Sequence, residues 1–99
     1  MSGIDDIAAE RRRQIESEGW TPEHDDEHAN GEIAKAAACY ADFASMPDTG
    51  RITIGGVPLA WPWDWTWWKP KNRRYDLVRA GALIAAEIDR LDRLEASKS

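Results

Sequence analysis

The segment NRRYDLVRAGALIAAEIDRLDRLE, residues 72–95, decides the fold. Asn72 is a good helix N-cap, because its side-chain oxygen can accept from a free N–H of the first turn. Leu77, Ile84, Ile88 and Leu91 then recur at helical spacing, with Ala80 and Gly81 among them. That spacing predicts a helix from about Arg73 to Glu95 with these residues toward a core. Gly81, Ala82, Ala85 and Ala86 are small enough for another helix to approach closely.

Working outward from this helix, residues 32–46 repeat the pattern: Ile33, Ala37, Tyr40 and Ala44 share a stripe, with Ala36 and Phe43 beside it, and Pro47, Asp48 and Gly50 end it. Residues 4–18 are rich in helix formers, with Ile4, Ala8 and Ile15 along one side and Gly19 as a stop. Thr21-Pro22-Glu23 reads as a helix start, with Thr as N-cap and Pro at the first helical position. Asn30-Gly31 can break this short helix, with Asn30 recapping the next. The expected fold is mainly α: a three-helix core with a short β-hairpin or irregular Trp-rich insertion between the second and third helices. The hairpin would occupy residues 51–59 around Gly55-Gly56, whose freedom suits a tight turn. One domain spans 1–99, with residues 1–3 and 96–99 expected to fray.

The insertion carries Trp61-Pro62-Trp63-Asp64-Trp65-Thr66-Trp67-Trp68-Lys69-Pro70, five of the chain's six tryptophans within eight positions. A short helical turn over 63–68 is favoured over extended chain, since Pro62 and Asp64 suit a first turn. So many indoles demand either a local core or a surface for something flat and apolar. A 99-residue chain is short of core volume, so at least three of the five are expected to be structural. The remainder, among Trp61, Trp63, Trp67 and Trp68, could stack on a base while Lys69, Arg73 and Arg74 meet phosphates.

Charge bounds the partners. A net charge of −5 and a pI near 4.9 argue against long nucleic acid. The charge is segregated: residues 23–32 hold five acids and no Lys or Arg, whereas 69–79 hold five Lys or Arg against Asp76. Such segregation can steer an anionic ligand or bring two subunits together, and a homo-oligomer is expected. No apolar run is long enough to span a membrane, and the single cysteine, Cys39, fits a reducing cytoplasm and a small core role.

Two polar constellations carry possible chemistry. His24, His28 and Glu32 recur every four residues, and Asp25 lies beside them. On a continuous helix these imidazoles and carboxylates could hold Mg, Mn or Zn. Solvated surface and helix capping explain the same residues. Glu87 follows Ala85-Ala86 beside the apolar stripe and could face Glu32 across two helices. Interleaving with Arg90 and Arg93 equally fits surface ion pairs. Glu10 and Gln14 form a polar pair on the first helix.

The strings E10-RRRQ-I15, E18-GWTPEHD-D26, W61-PW-D64 with W67-WK-P70, and D76-LVRAGAL-I84 resemble a group of small proteins of tailed phages and prophages. This resemblance implies an accessory role in the bacterial host cytoplasm. A weaker similarity is to the MazG-like all-α nucleoside triphosphate pyrophosphohydrolases, which hold Mg²⁺ by ExxE and ExxD pairs. Here Lys35 and Arg90 stand three residues after Glu32 and Glu87, where that family has acids. Two readings follow. One is a non-catalytic binder that sequesters a nucleotide or inhibits a host defence protein. The other is a metal-dependent nucleotide hydrolase with Glu32 and Glu87 as its catalytic carboxylates. The failed acid spacing favours the binder.

Overall fold

The computed structural model describes residues 2–47 and 56–98. These form α1 (Gly3–Glu18), α2 (Pro22–Asp26), α3 (Glu32–Ala44), a single 3₁₀ turn (Trp65–Trp67) and α4 (Arg73–Ser97). No strand occurs among the described residues. Most of the hairpin expected over 51–59 lies outside them, and Gly56 to Leu59 form turn and irregular chain. The insertion is therefore the irregular Trp-rich alternative wherever it is described.

The helix boundaries follow local chemistry. Ser2 and Gly3, expected to fray, instead open α1: Ser2 accepts from Asp5 N–H and the Asp5 carboxylate returns a bond to the Ser2 N–H. Gly19 ends α1 at φ 74°, a left-handed conformation that costs glycine little. Thr21 caps α2 through His24 N–H, with Pro22 at its first position. The break expected at Asn30-Gly31 is present, but Gly31, at φ 82°, is the N-cap of α3 in place of Asn30. Asn30 contributes differently, donating its N–H to Glu32 Oε1 at 2.6 Å. Asn72 caps α4 through Tyr75 N–H, as its position implied.

α4 is the spine on which α1 and α3 pack. The buried core gathers Trp20, Ile33, Ala36, Ala37, Cys39, Tyr40, Trp61, Ala80, Leu83 and Ala86. The small residues of α4 do what their size allows: Ala80, Ala82 and Ala86 are buried, and Ile7 of α1 lies so close over Gly81 that an added Cβ would fall 2.6 Å from its Cδ1. Choosing this face overturns the stripe read from sequence. Leu77, Ile84, Ile88 and Leu91 are each about half exposed. Close helix approach favours small side chains: Ala82 and Ala86 lie on the side of α4 away from that stripe, and on the stripe itself only Gly81 is closely covered, by Ile7.

α1 departs from expectation in the same way. Ile4 is 80% exposed and Ala8 is exposed, whereas Glu10 and Gln14 are buried. A buried carboxylate needs partners, and Glu10 has them. Arg13 donates through Nε and Nη2 at 2.8 Å to both its oxygens, Gln14 Nε2 donates at 3.3 Å, and Arg79 lies 3.6 Å away. Burial alone would raise the Glu10 pKa, but Arg13, with Arg79 and Gln14, pulls it below the usual value.

Its contribution to stability is therefore present above the ordinary carboxylate pKa and lost as pH falls through the depressed folded value. Asp25 has the opposite sign. Burial holds its pKa up despite the Arg11 ion pair at 2.6 Å, so its desolvation cost is relieved on acidification. Urea unfolding at pH 7 and near pH 3 should thus show a Glu10→Gln variant losing less on acidification than the parent. An equal loss in both proteins would remove Glu10 as the source.

Candidate functional site

The Trp-rich segment is held against the helices by a buried arginine. Arg79 of α4 donates to the Lys69 carbonyl at 2.9 Å, the Tyr40 hydroxyl at 3.2 Å and the Tyr75 hydroxyl at 2.9 Å. Its guanidinium also lies over both tyrosine rings, 5.4 Å from Tyr40 and 4.9 Å from Tyr75. Tyr40 in turn accepts from Lys69 N–H at 3.1 Å. Burial pushes the Tyr40 hydroxyl pKa up, against the pull of Lys69 N–H and Arg79, so it stays protonated at neutral pH.

This anchorage sorts the tryptophans. Trp68 stacks on Tyr40 with centroids 4.6 Å apart and meets Phe43 edge-on. Trp61 is buried, packs edge-on against Tyr40, Trp63 and Trp68, and donates its indole N–H to the Asp64 carbonyl at 3.1 Å. Trp61 thus belongs to the buried core, with Trp63 and Trp68 partly buried against it. Asp64 caps the 3₁₀ turn by accepting from both the N–H and hydroxyl of Thr66. Those bonds, the backbone one foremost, lower the Asp64 pKa, so it is ionised at neutral pH. The turn leaves Trp65 and Trp67 facing outward.

Trp20, Trp63 and Trp67 then enclose a cleft with His24, His28 and Asp64, with a volume of about 260 Å³. Trp20 meets Trp63 edge-on at 5.8 Å and lies 6.3 Å from Trp67. His28 sits 5.1 Å from Trp63 and 5.0 Å from His24. The Trp63 indole N–H is buried and has no hydrogen-bond acceptor among the described residues. Lys69 Nζ lies 5.2 Å from the centre of the Trp67 ring. Two arginines fix α2, the wall that carries His24: Arg11 bonds Asp25 and the Trp20 carbonyl, while Arg93 bonds Asp26 and the Pro22 carbonyl.

The structure separates several residues that the sequence grouped. Of the stacking set, Trp63 and Trp67 line the cleft, and Trp61 and Trp68 lie beneath it. Lys69 lies over the Trp67 ring, Arg73 donates to the Ala44 carbonyl and Arg74 to Asp6, and none of the three lines the cleft. His24 and His28 stay neighbours through the turn after α2, and His28 Nδ1 lies 3.3 Å from Glu32 Oε2. Asp25 gives one oxygen to Arg11 at 2.6 Å and keeps the other 3.9 Å from His24 Nδ1. Its own backbone N–H, the N–H of Asn30 and His28 together lower the Glu32 pKa. Among the described residues no three His, Cys, Asp or Glu side chains converge in a way that could hold a metal ion. Glu87 gives both oxygens to Arg90, at 2.6 and 3.1 Å. Trp20 and Asp64 are the cleft residues that the sequence reading did not assign to binding; the position of Trp20 directly before the Thr21-Pro22 helix start was the available signal, and Asp64 was read only as a residue suited to a first turn.

No helix among the described residues is long and apolar enough to cross a membrane. The chain matches no protein family, no curated protein and no solved structure.

Proposed function

We propose that the protein is a non-catalytic binder whose aromatic cleft takes the base of a nucleotide-type small molecule. The carrying observation is the convergence of Trp20, Trp63 and Trp67 with His24 and His28 around one open space of about 260 Å³. Indole and imidazole faces offer stacking to any base, worth about 1–3 kcal/mol per base. The ionised Asp64 at the cleft can accept from an exocyclic amino group, which favours adenine, guanine or cytosine over uracil. Lys69, beside Trp67, is the cation placed to meet a phosphate.

Binding is better supported than hydrolysis. Glu87 is neutralised by Arg90 and Asp25 by Arg11, so neither offers a free carboxylate to a metal ion. Sequestration of a nucleotide in a phage-infected bacterial cytoplasm is what the sequence resemblance adds to this reading.

The test is to incubate the protein with mixed linear and cyclic nucleotides plus Mg²⁺ and Mn²⁺, then separate bound from free by chromatography. An intact, retained nucleotide with an amino-bearing base is expected. Turnover to products would replace the binder with the hydrolase, and no retention would end the nucleotide reading in favour of a host-protein target. Trp67→Ala should weaken retention at least about tenfold. Because that ring is largely outside the core, the melting temperature should barely change.

A further inference from the structure

The outward face of α4 is a strip of large apolar side chains that the fold leaves about half exposed. Leu77, Ile84, Ile88 and Leu91 are 53, 49, 52 and 48% exposed. With Gly81 between the first two, their positions advance by four, three, four and three residues. That alternation is the seam of a coiled coil, in which every such residue faces a partner helix. Ile7 of α1 fills the space over Gly81, so the seam stays apolar where α4 itself has no side chain.

We propose that this face pairs with the same face of a second copy of the chain, antiparallel, about a two-fold axis near Ile84. The seam is nearly symmetric about that residue. Leu77 lies seven residues before Ile84 and Leu91 seven after, while Gly81 and Ile88 lie three before and four after. An antiparallel partner therefore sets Ile84 on Ile84, Leu77 on Leu91, and Ile88 on the small Gly81 with Ile7 beside it. A self-complementary patch of this kind is what a two-fold dimer requires.

Charge selects the same orientation. The N-terminal end of the seam carries Arg74, which pairs with Asp6 yet keeps a 66% exposed side chain. Its C-terminal end carries exposed Asp92 and Glu95. Antiparallel pairing brings Arg74 of each copy to Asp92 and Glu95 of the other. Parallel pairing would set each of these against its own like charge. The acidic end also disfavours an anionic lipid surface, which calls for cations along the flank. The seam from Leu77 to Leu91 is only about 21 Å long. A micromolar dissociation constant is accordingly expected, of the order of a modest interface.

Sedimentation equilibrium on the intact chain, from about one to several hundred micromolar, tests this directly. The parent should approach twice the chain mass at the upper end. Ile84→Lys should stay monomeric, with a dissociation constant raised roughly a hundredfold, because both copies would bring a cation to the same axis. Ile84 is half exposed in the single chain, so the variant should keep its helical circular dichroism. Leu77→Cys and Leu91→Cys variants, mixed under mild oxidation, should cross-link to each other faster than either does to itself, and buried Cys39 stays out of that exchange. A parent that is monomeric throughout would overturn the proposal and leave the face to a different protein. Persistence of the Ile84→Lys dimer would equally sink it. Self-linking of Leu77→Cys as fast as mixed linking would refute the antiparallel arrangement.

Discussion

Arg79→Met is expected to lower the stability of the fold by about 3–5 kcal/mol, the cost of stripping one member from a buried charged network. The side chain is 9% exposed and its charge is compensated by Glu10 at 3.6 Å. Methionine fills much of the volume but leaves the Lys69 carbonyl without its guanidinium donor and removes bonds from the Tyr40 and Tyr75 hydroxyls. Glu10 would keep Arg13, but lose a second cation from a buried position. For a chain of this length, such a loss should lower the melting temperature by at least about 12 °C.

Arg79→Lys separates geometry from charge. Lysine retains the cation but cannot donate along three fixed directions, so it should recover only part of the loss. Because Arg79 ties the chain at Lys69 to α4, the Trp67 ring should also become more solvent-accessible below the melting transition. Tryptophan fluorescence quenching by iodide would report this. If Arg79→Met changes stability by less than about 1 kcal/mol, packing by methionine has offset the network, and Arg79 is not the anchor described here.

The helix boundaries show how far the sequence could be read. Thr21-Pro22, Gly19 and Asn72 were legible because capping depends on a few adjacent residues, and each stands at a helix boundary as its chemistry dictates. Helical periodicity likewise located α3 and α4. It did not tell which face of α4 turns inward, because that depends on what the neighbouring helices carry. α1 presents Ile7, Glu10 and Gln14, and α3 presents alanines around Tyr40. Against such neighbours the face with Ala82, Leu83 and Ala86 turns inward, and Leu77, Ile84, Ile88 and Leu91 are left about half exposed. An apolar stripe is a demand for burial, and a second chain can satisfy it as well as the first.

The candidate cleft was partly legible for a related reason. Composition alone drew attention to Trp63, Trp67 and Lys69. Which rings remain open depends on the local 3₁₀ turn capped by Asp64 and on the Tyr40–Arg79 anchorage, which joins distant parts of the chain. Arg73 and Arg74 stood close to the tryptophans in sequence, but the start of α4 sends them to Ala44 and Asp6. The His24, His28 and Glu32 spacing survived the helix break as a chain of side-chain contacts. Asp25, one residue from His24, stays 3.9 Å from its ring but gives its shortest contact to Arg11, a partner that the sequence spacing could not reveal.

Trp61→Ala should abolish ligand retention and cost about 3–5 kcal/mol at once, the usual range for removing a buried tryptophan. Trp61 does not line the cleft, so a purely additive view would assign it no effect on binding. Its ring, however, meets Trp63 edge-on at 5.5 Å and Trp68 at 5.0 Å, and its indole N–H holds the Asp64 carbonyl. Removing it frees one cleft wall, Trp63, and the residue whose carboxylate caps the turn that presents Trp67. The empty space cannot be filled cheaply, because Tyr40 and Trp68 are already stacked on each other. Trp61→Phe should restore most of the stability but not the hydrogen bond to Asp64, and so should recover binding less completely than folding. Thermal melts and nucleotide retention on the same samples would separate the two. Equal recovery of both by phenylalanine would mean that packing alone shapes the cleft. Failure to recover binding despite a restored melting temperature would identify the indole–Asp64 bond as what sets the position of the turn.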